Sequence, residues 1–171
     1  MLTTKKIQLN GAFVMQFEHE EHRSAYLRVE EYLSELFEDV LKEDGHFYVR
    51  YGSTVIEISV EPYGPEEASV FIMSHCVQGV EIDDELAFRL LELNHALAFG
   101  AFSAVGQDIF YSHSLFGRTL ERSNLLGAIA AVAEIADEWD DRIVVEYGGQ
   151  RALDRIRDTG GRRRRQESVK V

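Results

Sequence analysis

The chain contains one cysteine, two prolines and no long apolar run. A single cysteine, Cys76, excludes an internal disulfide. The two prolines, Pro62 and Pro65, stand close together in one predicted loop, so no proline-rich linker divides the 171 residues. The longest apolar run is LLGAIAAVA at residues 125–133, whereas a membrane-spanning helix needs about 20 residues. These absences favour a single soluble domain, which we expect in the cytoplasm and without a membrane partner.

Motifs for nucleotide binding, metal binding and nucleophilic catalysis are also missing. No phosphate-binding loop or dinucleotide fingerprint occurs. His19 and His22 have a spacing that two metal ligands can use, but zinc takes three or four protein ligands and nothing else in the chain matches. His75 and Cys76 are neighbours on a predicted strand, so their side chains point to opposite faces and cannot form a dyad. We expect no metal site and no cofactor.

Paired carboxylates do not indicate acid catalysis in this chain. The pair Asp140-Asp141, like the three others, stands at a predicted helix end or loop, where acids are ordinary. We therefore predict no catalytic residue and a protein that is not an enzyme.

Charge is distributed unevenly. The net charge is −12, but residues 150–171 hold eight Lys/Arg and three Asp/Glu, a net of +5, which leaves −17 on residues 1–149. An acidic body of that size repels the phosphate backbone, whose attraction to basic side chains dominates non-specific nucleic-acid binding. We predict no nucleic-acid partner, and we interpret residues 150–171, with RRRR at 162–165, as a disordered basic tail.

Hydrophobic spacing predicts the first half of the fold. Apolar residues in 24–45 recur at every third or fourth position, which is typical of an amphipathic helix, with Ser24 as its N-cap. Residues 46–80 are rich in Val, Ile, Phe and Tyr and are broken by short turns. Such short connections can join only antiparallel neighbours, so this segment predicts a three-stranded meander.

The second half predicts two more helices with a hairpin between them. Asp83 or Asp84 caps the second helix, and two strands meet at Gly106. The third helix begins near Thr119 and ends before Gly148. The predicted class is α+β, an antiparallel sheet of about five strands with three helices, in the order α-β-β-β-α-β-β-α. We predict an N-terminal extension at 1–20 and one domain at 21–149.

The stretch LLELNHALAFGAFSA at 90–104 raises a local question about Asn94 and His95. Gly100 after the helix suits a left-handed conformation, so the stretch predicts a switch from helix to hairpin in which Asn94 bonds the incoming strand or nearby backbone. His95 could meet His113 in space, and a carboxylate beside them would indicate an unrecognised enzyme site. A structural role is the favoured interpretation.

Two stretches resemble the YbjN family and the wider type III secretion chaperone-like fold. LLELNHALAFGAFSAVGQDIFYSH at 90–113 is similar to the family's leucine/asparagine helix that runs into a hairpin. LERSNLLGAIAAVAEIADEWDDRIVVEYGG at 120–149 is similar to its final helix, with an Ala-Asp pair and a Gly-Gly ending. The likeness covers about residues 20–149. It implies a small acidic cytoplasmic protein, usually a dimer, that holds extended client segments against apolar patches; family members are also labelled sensory-transduction regulators.

The resemblance predicts a non-enzymatic, chaperone-like or regulatory module that binds an extended protein or peptide segment. On the third strand Phe71, Met73 and His75 share one face, opposite Val70 and Ile72. One face must cover the helices and the other could carry the partner, and the periodicity leaves both assignments open. Met73 suits an adaptable binding surface, although methionine also fills cores.

An alternative is a homodimeric regulator of a signalling or stress pathway that acts through the third helix. Leu125, Ile129, Val132 and Ala136 have the spacing of a heptad seam, with alanines beside them that permit close approach. The same stripe could instead pack on the sheet of its own chain, and the two interpretations can coexist.

Overall fold

The computed structural model of the chain describes residues 6–9, 12–52 and 54–151. Within these ranges three helices and nine strands follow one another. Their order and bounds are β1 (Lys6–Leu9), β2 (Ala12–Met15), α1 (Glu20–Leu36), β3 (Val40–Glu43), β4 (His46–Tyr51), β5 (Thr54–Pro62), β6 (Ala68–Gln78), α2 (Asp84–Ala96), β7 (Ala101–Val105), β8 (Asp108–Phe116), α3 (Arg122–Tyr147) and β9 (Gln150–Arg151).

The main sheet is antiparallel throughout and has the strand order β3-β4-β5-β6-β8-β7, with β9 also paired to β6. Short turns force consecutive strands from β3 to β6 to be antiparallel neighbours. Helix α2 then carries the chain to the far edge, where β7 lies, and β8 returns between β7 and β6. Strands β1 and β2 form a separate two-stranded hairpin.

One face of the main sheet is covered by helices. In β6 the residues Val70 and Ile72 are fully buried, and α1 and α3 both contact this strand. Helix α2 packs beside them, against β7. The alternate residues of β6 point the other way and are half-buried. We call this second side of the sheet the open face.

The predicted α+β class with three helices is confirmed, and the sheet has more strands than the five expected. The first helix is shorter than predicted, because the chain leaves it at Leu36 and residues 40–43 form β3. Its N-cap is His19, whose side chain accepts from the backbone N–H of His22, and not Ser24. Asp83 caps α2 as predicted, and α3 begins at Arg122 rather than near Thr119.

The stripe proposed as a dimer seam belongs to the core of its own chain. Leu125, Ile129 and Val132 are fully buried and Ala136 is 2% exposed, because α3 lies on the sheet with this side inward. A second copy cannot reach these side chains, so a dimer contact through α3 would need another side of the helix. This corrects the seam at these four positions.

Gly149 joins α3 to β9 at a place where only glycine fits. Its φ is +85°, and a Cβ would lie 2.9 Å from both the Gln78 carbonyl oxygen and Val77 Cγ1. The close approach lets Gln150 and Arg151, predicted as the start of the tail, pair with Gln78 and Val77. The rest of the predicted tail, 152–171, lies outside the described residues.

We expect Gly149→Ala to destabilise the chain by roughly 1–3 kcal/mol, from backbone strain at positive φ together with the steric conflict at β6. Gly148→Ala is the matched control, since Gly148 has a φ of +84° and open space around its Cβ position. The difference between the two variants in the free energy of unfolding, measured with urea, gives the contribution of the steric conflict. Equal losses in both would contradict a required close approach at Gly149.

Candidate functional site: the open face of the sheet

The open face brings together the three residues that alternation had placed on one side of β6. Phe71, Met73 and His75 are half-buried on this face, while Val70 and Ile72 are buried against the helices. The register adds residues from neighbouring strands, which sequence reasoning did not find. One cross-strand row contains Leu41, Tyr48, Glu57, Met73, Ser112 and Ala101.

The face carries aromatic and aliphatic side chains among serine and charged side chains. His75 stacks on Phe110 with ring centroids 4.4 Å apart. Toward the rim the face carries side chains that are largely exposed, including Leu41 at 61% and Phe116 at 59%. Large apolar side chains that share one exposed surface are typical of a binding surface. The face can therefore receive apolar groups of another molecule.

The edge of the sheet at β7 is closed at one point by Asn94. The Asn94 side chain accepts from the Phe102 N–H at 2.6 Å and donates to the Phe102 carbonyl at 3.1 Å. Both backbone groups point away from β8, because β8 occupies the other side of β7. Asn94 thus takes the place of a neighbouring strand, which answers in structural terms the question raised by residues 90–104.

The histidines that were candidates for metal binding or catalysis lie in surroundings that suit a structural role. His22 is buried and its Nε2 lies 3.1 Å from the Val60 carbonyl, while its Nδ1 accepts from the Glu18 N–H. His95 is exposed on α2, whereas His113 packs edge-on against Phe99. Among the described residues no group of His, Cys, Asp and Glu is arranged to hold a metal ion. No described helix has the length and apolar character needed to cross a membrane.

A cavity of about 230 Å³ opens where β5 begins. The β5–β6 pairing reaches only to Ile56–Ser74, and on the same edge of β6 the pairing with β9 starts at Val77. The sheet therefore has a gap between β5 and β9, alongside His75 and Cys76. The lining comes from both sides of the sheet, and consists of Tyr48, Thr54, Val55, Glu57, Met73, Ser74, His75, Cys76, Phe110 and Asp140. We call it the gap cavity.

Two titratable groups on the helix side of the gap cavity are strongly perturbed. Burial raises the pKa of Cys76 to about 12, so the thiol stays protonated and unreactive. Burial also raises the pKa of Asp140 to about 6, with the neighbouring charges of Asp141 and Asp137 acting in the same direction. The Asp141 N–H and Arg151 on β9 oppose this shift. The prediction that Asp140 is an ordinary acid at a helix end is wrong, because the gap in the sheet places its carboxyl in a cavity.

The chain resembles known proteins over most of its length. A family described as T3SS (YopN, CesT) and YbjN peptide-binding chaperone 1, TY-Chap1, matches residues 25–155, which confirms the resemblance carried by 90–113 and 120–149. No curated protein matches significantly. A chain in the solved HopA1–SchA chaperone–effector complex shares the fold, with a TM-score of 0.54 and 11% identity over 70% of this chain and 96% of that one.

We expect Asn94→Ala to destabilise the chain by about 1–3 kcal/mol, because the half-buried N–H and C=O of Phe102 lose their partner. The freed edge of β7 should also promote association of chains. Urea unfolding and size-exclusion chromatography measure the two effects. Glu92→Ala, at an exposed position of the same helix, is the control. It should change the free energy of unfolding by no more than about 0.5 kcal/mol, and its chains should not associate. Wild-type behaviour of Asn94→Ala would refute the edge-capping role.

We expect Asp140→Asn to stabilise the chain at pH 7 by about 1 kcal/mol. This is less than the full pKa shift of Asp140 implies, because water screens part of the carboxyl. The pKa of Asp140 rises from 3.8 to about 6 on folding, so the folded state binds the extra proton and stability falls as pH rises between these values. Urea unfolding at pH 4 should show almost no gain. Glu134→Gln, which removes a charge at an exposed site of the same helix, is the control, and equal gains from Asp140→Asn at both pH values would contradict the burial of Asp140.

Proposed function

Since the chain belongs to the TY-Chap1 family of peptide-binding chaperones, we propose that it is a non-enzymatic chaperone that holds an extended segment of a partner protein on the open face. The observation that carries the proposal is the aromatic and aliphatic surface around Phe71, Met73 and Phe110, on the side of the sheet opposite the helices. Apolar side chains of a client would lose contact with water there, which is the main source of binding free energy.

The fold neighbour supports the same role. Its structure is that of a chaperone–effector complex, and we extend to this chain the binding of a partner protein. The segment would run along or across the strands and present alternate side chains to the open face. We place the protein in the cytoplasm, as the resemblance to secretion chaperones implies.

The alternative of a homodimeric regulator acting through α3 has less support. The four residues that suggested it are buried within the chain. A homodimer, which the same resemblance implies, would have to use a surface other than this stripe, and it remains compatible with client binding on the open face.

We expect Phe71→Glu to weaken client binding at least tenfold, because a covered carboxylate would have to be desolvated without a partner. The residues directly opposite Phe71 are Ser59 and Ser114, so the new carboxylate has no like charge directly across from it and the fold should survive. Clients are captured with the full-length chain from its host and identified by mass spectrometry. Their bound segments are then synthesised and titrated by fluorescence anisotropy.

Leu91→Glu is the matched control for this experiment. Leu91 is 66% exposed on α2, so the variant makes the same kind of change on a different surface. It should bind client segments as the wild type does. Loss of binding in Leu91→Glu, with Phe71→Glu unaffected, would move the client site to the helices and refute the proposal.

A further inference from the structure

The gap cavity is built for one side chain rather than for a whole small molecule. Its volume of about 230 Å³ lies below the range of roughly 300–1,000 Å³ that is usual for ligand pockets. Its mouth is lined on the open face by Tyr48, Val55, Met73 and Phe110. A client segment lying on the open face would pass over this mouth, and one of its side chains could enter.

The walls and the deep end of the gap cavity differ in character. The mouth is mainly apolar, whereas Glu57 lies on the open-face side and Asp140 on the helix side. Among the described residues that line the cavity there are two carboxylates and neither Lys nor Arg. A complementary occupant therefore has an apolar stem and a positive end, which is the build of lysine and arginine side chains.

Within 6–9, 12–52 and 54–151, the charged groups around the cavity leave a deficit of positive charge at its deep end. Glu57 has a partner, since its carboxylate lies 2.5 Å from His46 Nδ1, and His75 lies 3.6 Å from Asp108. Facing Asp140 are Asp137 and Asp141 of its own helix, the protonated Cys76 thiol of β6 and the Arg151 guanidinium of β9. Arg151 lies 3.2 Å from Asp141, so that cation is shared between two acids.

We propose that the gap cavity is a specificity pocket that binds a lysine or arginine side chain of the client segment, with Asp140 as its acidic partner. The inference rests on the proposed function and adds the chemical class of the anchoring residue. The aliphatic stem packs on Met73, Val55 and Phe110, and the charged head group reaches the Asp140 carboxylate through the gap between β5 and β9.

The pocket makes binding dependent on pH. A cation beside Asp140 favours its ionised form, so binding lowers the pKa of Asp140 from about 6 and releases a proton at or below that pH. Affinity for a basic side chain should therefore rise as pH increases from 5 to 7. Asp137 and Asp141, the other acids that face Asp140, also attract the positive end of the bound side chain.

The test uses the full-length ¹⁵N-labelled protein and two capped amino acids, followed by NMR. The probe is Nα-acetyl-arginine methylamide, and Nα-acetyl-norleucine methylamide is the control that keeps the stem and lacks the charge. We expect saturable shifts of the Cys76 and Asp140 amides with the arginine probe. A dissociation constant on the order of millimolar is expected for so small a ligand, and the norleucine control should bind at least tenfold more weakly.

Two variants check the role of the carboxylate. Asp140→Asn should weaken binding of the arginine probe at least fivefold. Glu134→Gln, which removes the same charge at an exposed site of α3, should leave the affinity unchanged. Equal binding of the two probes, full affinity of Asp140→Asn, or no saturable shift with the arginine probe would each overturn the inference.

The outcome is separable from that of the proposed function. Phe71 does not line the gap cavity, so Phe71→Glu tests client binding on the open face without replacing a residue of the pocket. If client segments bind and Phe71→Glu weakens their binding while the two probes bind equally well, only the inference of a pocket for a basic side chain fails. If Phe71→Glu binds clients like the wild type, the proposed function fails, whatever the probes show.

Discussion

The alternation of side chains along β6 is the constraint on which the rest of the structure depends. This strand pairs with β5 and β9 along one edge and with β8 along the other. Val70 and Ile72 are fully buried under the helices, while Phe71 and Met73 point to the open face. Because the side-chain period of a strand is two, a slip of one residue would exchange the two sets. The core and the candidate site are therefore fixed by one register.

Much of the fold could be predicted because its signals are local. Asp83 caps α2 with its own side chain, and the spacing of Leu125, Ile129 and Val132 marks α3. Strand β3 was missed although a signal was present. Asp44 and Gly45 both have positive φ and form the two-residue turn between β3 and β4, which is a strong hairpin pattern. The apolar spacing of the preceding helix continued past that turn, so the helical interpretation was carried too far.

The candidate site could be predicted only in part, because it depends on which strands are neighbours. Alternation alone put Phe71, Met73 and His75 on one face, but whether helices cover that face is decided by the packing of α1 and α3. The gap cavity depends on where β5 and β9 stop along β6, which no local pattern records. Asp140 escaped prediction for the same reason, since burial is the largest cause of its raised pKa and depends on surroundings that are distant in sequence.

The proposed recognition uses the face of the sheet rather than the β7 edge. Asn94 holds both backbone groups of Phe102, so a client strand cannot pair with β7 at that point. The apolar part of the face can accept many sequences, because burial of apolar surface is non-directional. A half-buried carboxylate is more selective, since only a positive group offsets its desolvation. The net charge of −17 on residues 1–149 attracts basic segments in general, and the gap between β5 and β9 determines which of their side chains reaches Asp140. In the proposed mode of binding, selectivity therefore follows from the place where the sheet is interrupted.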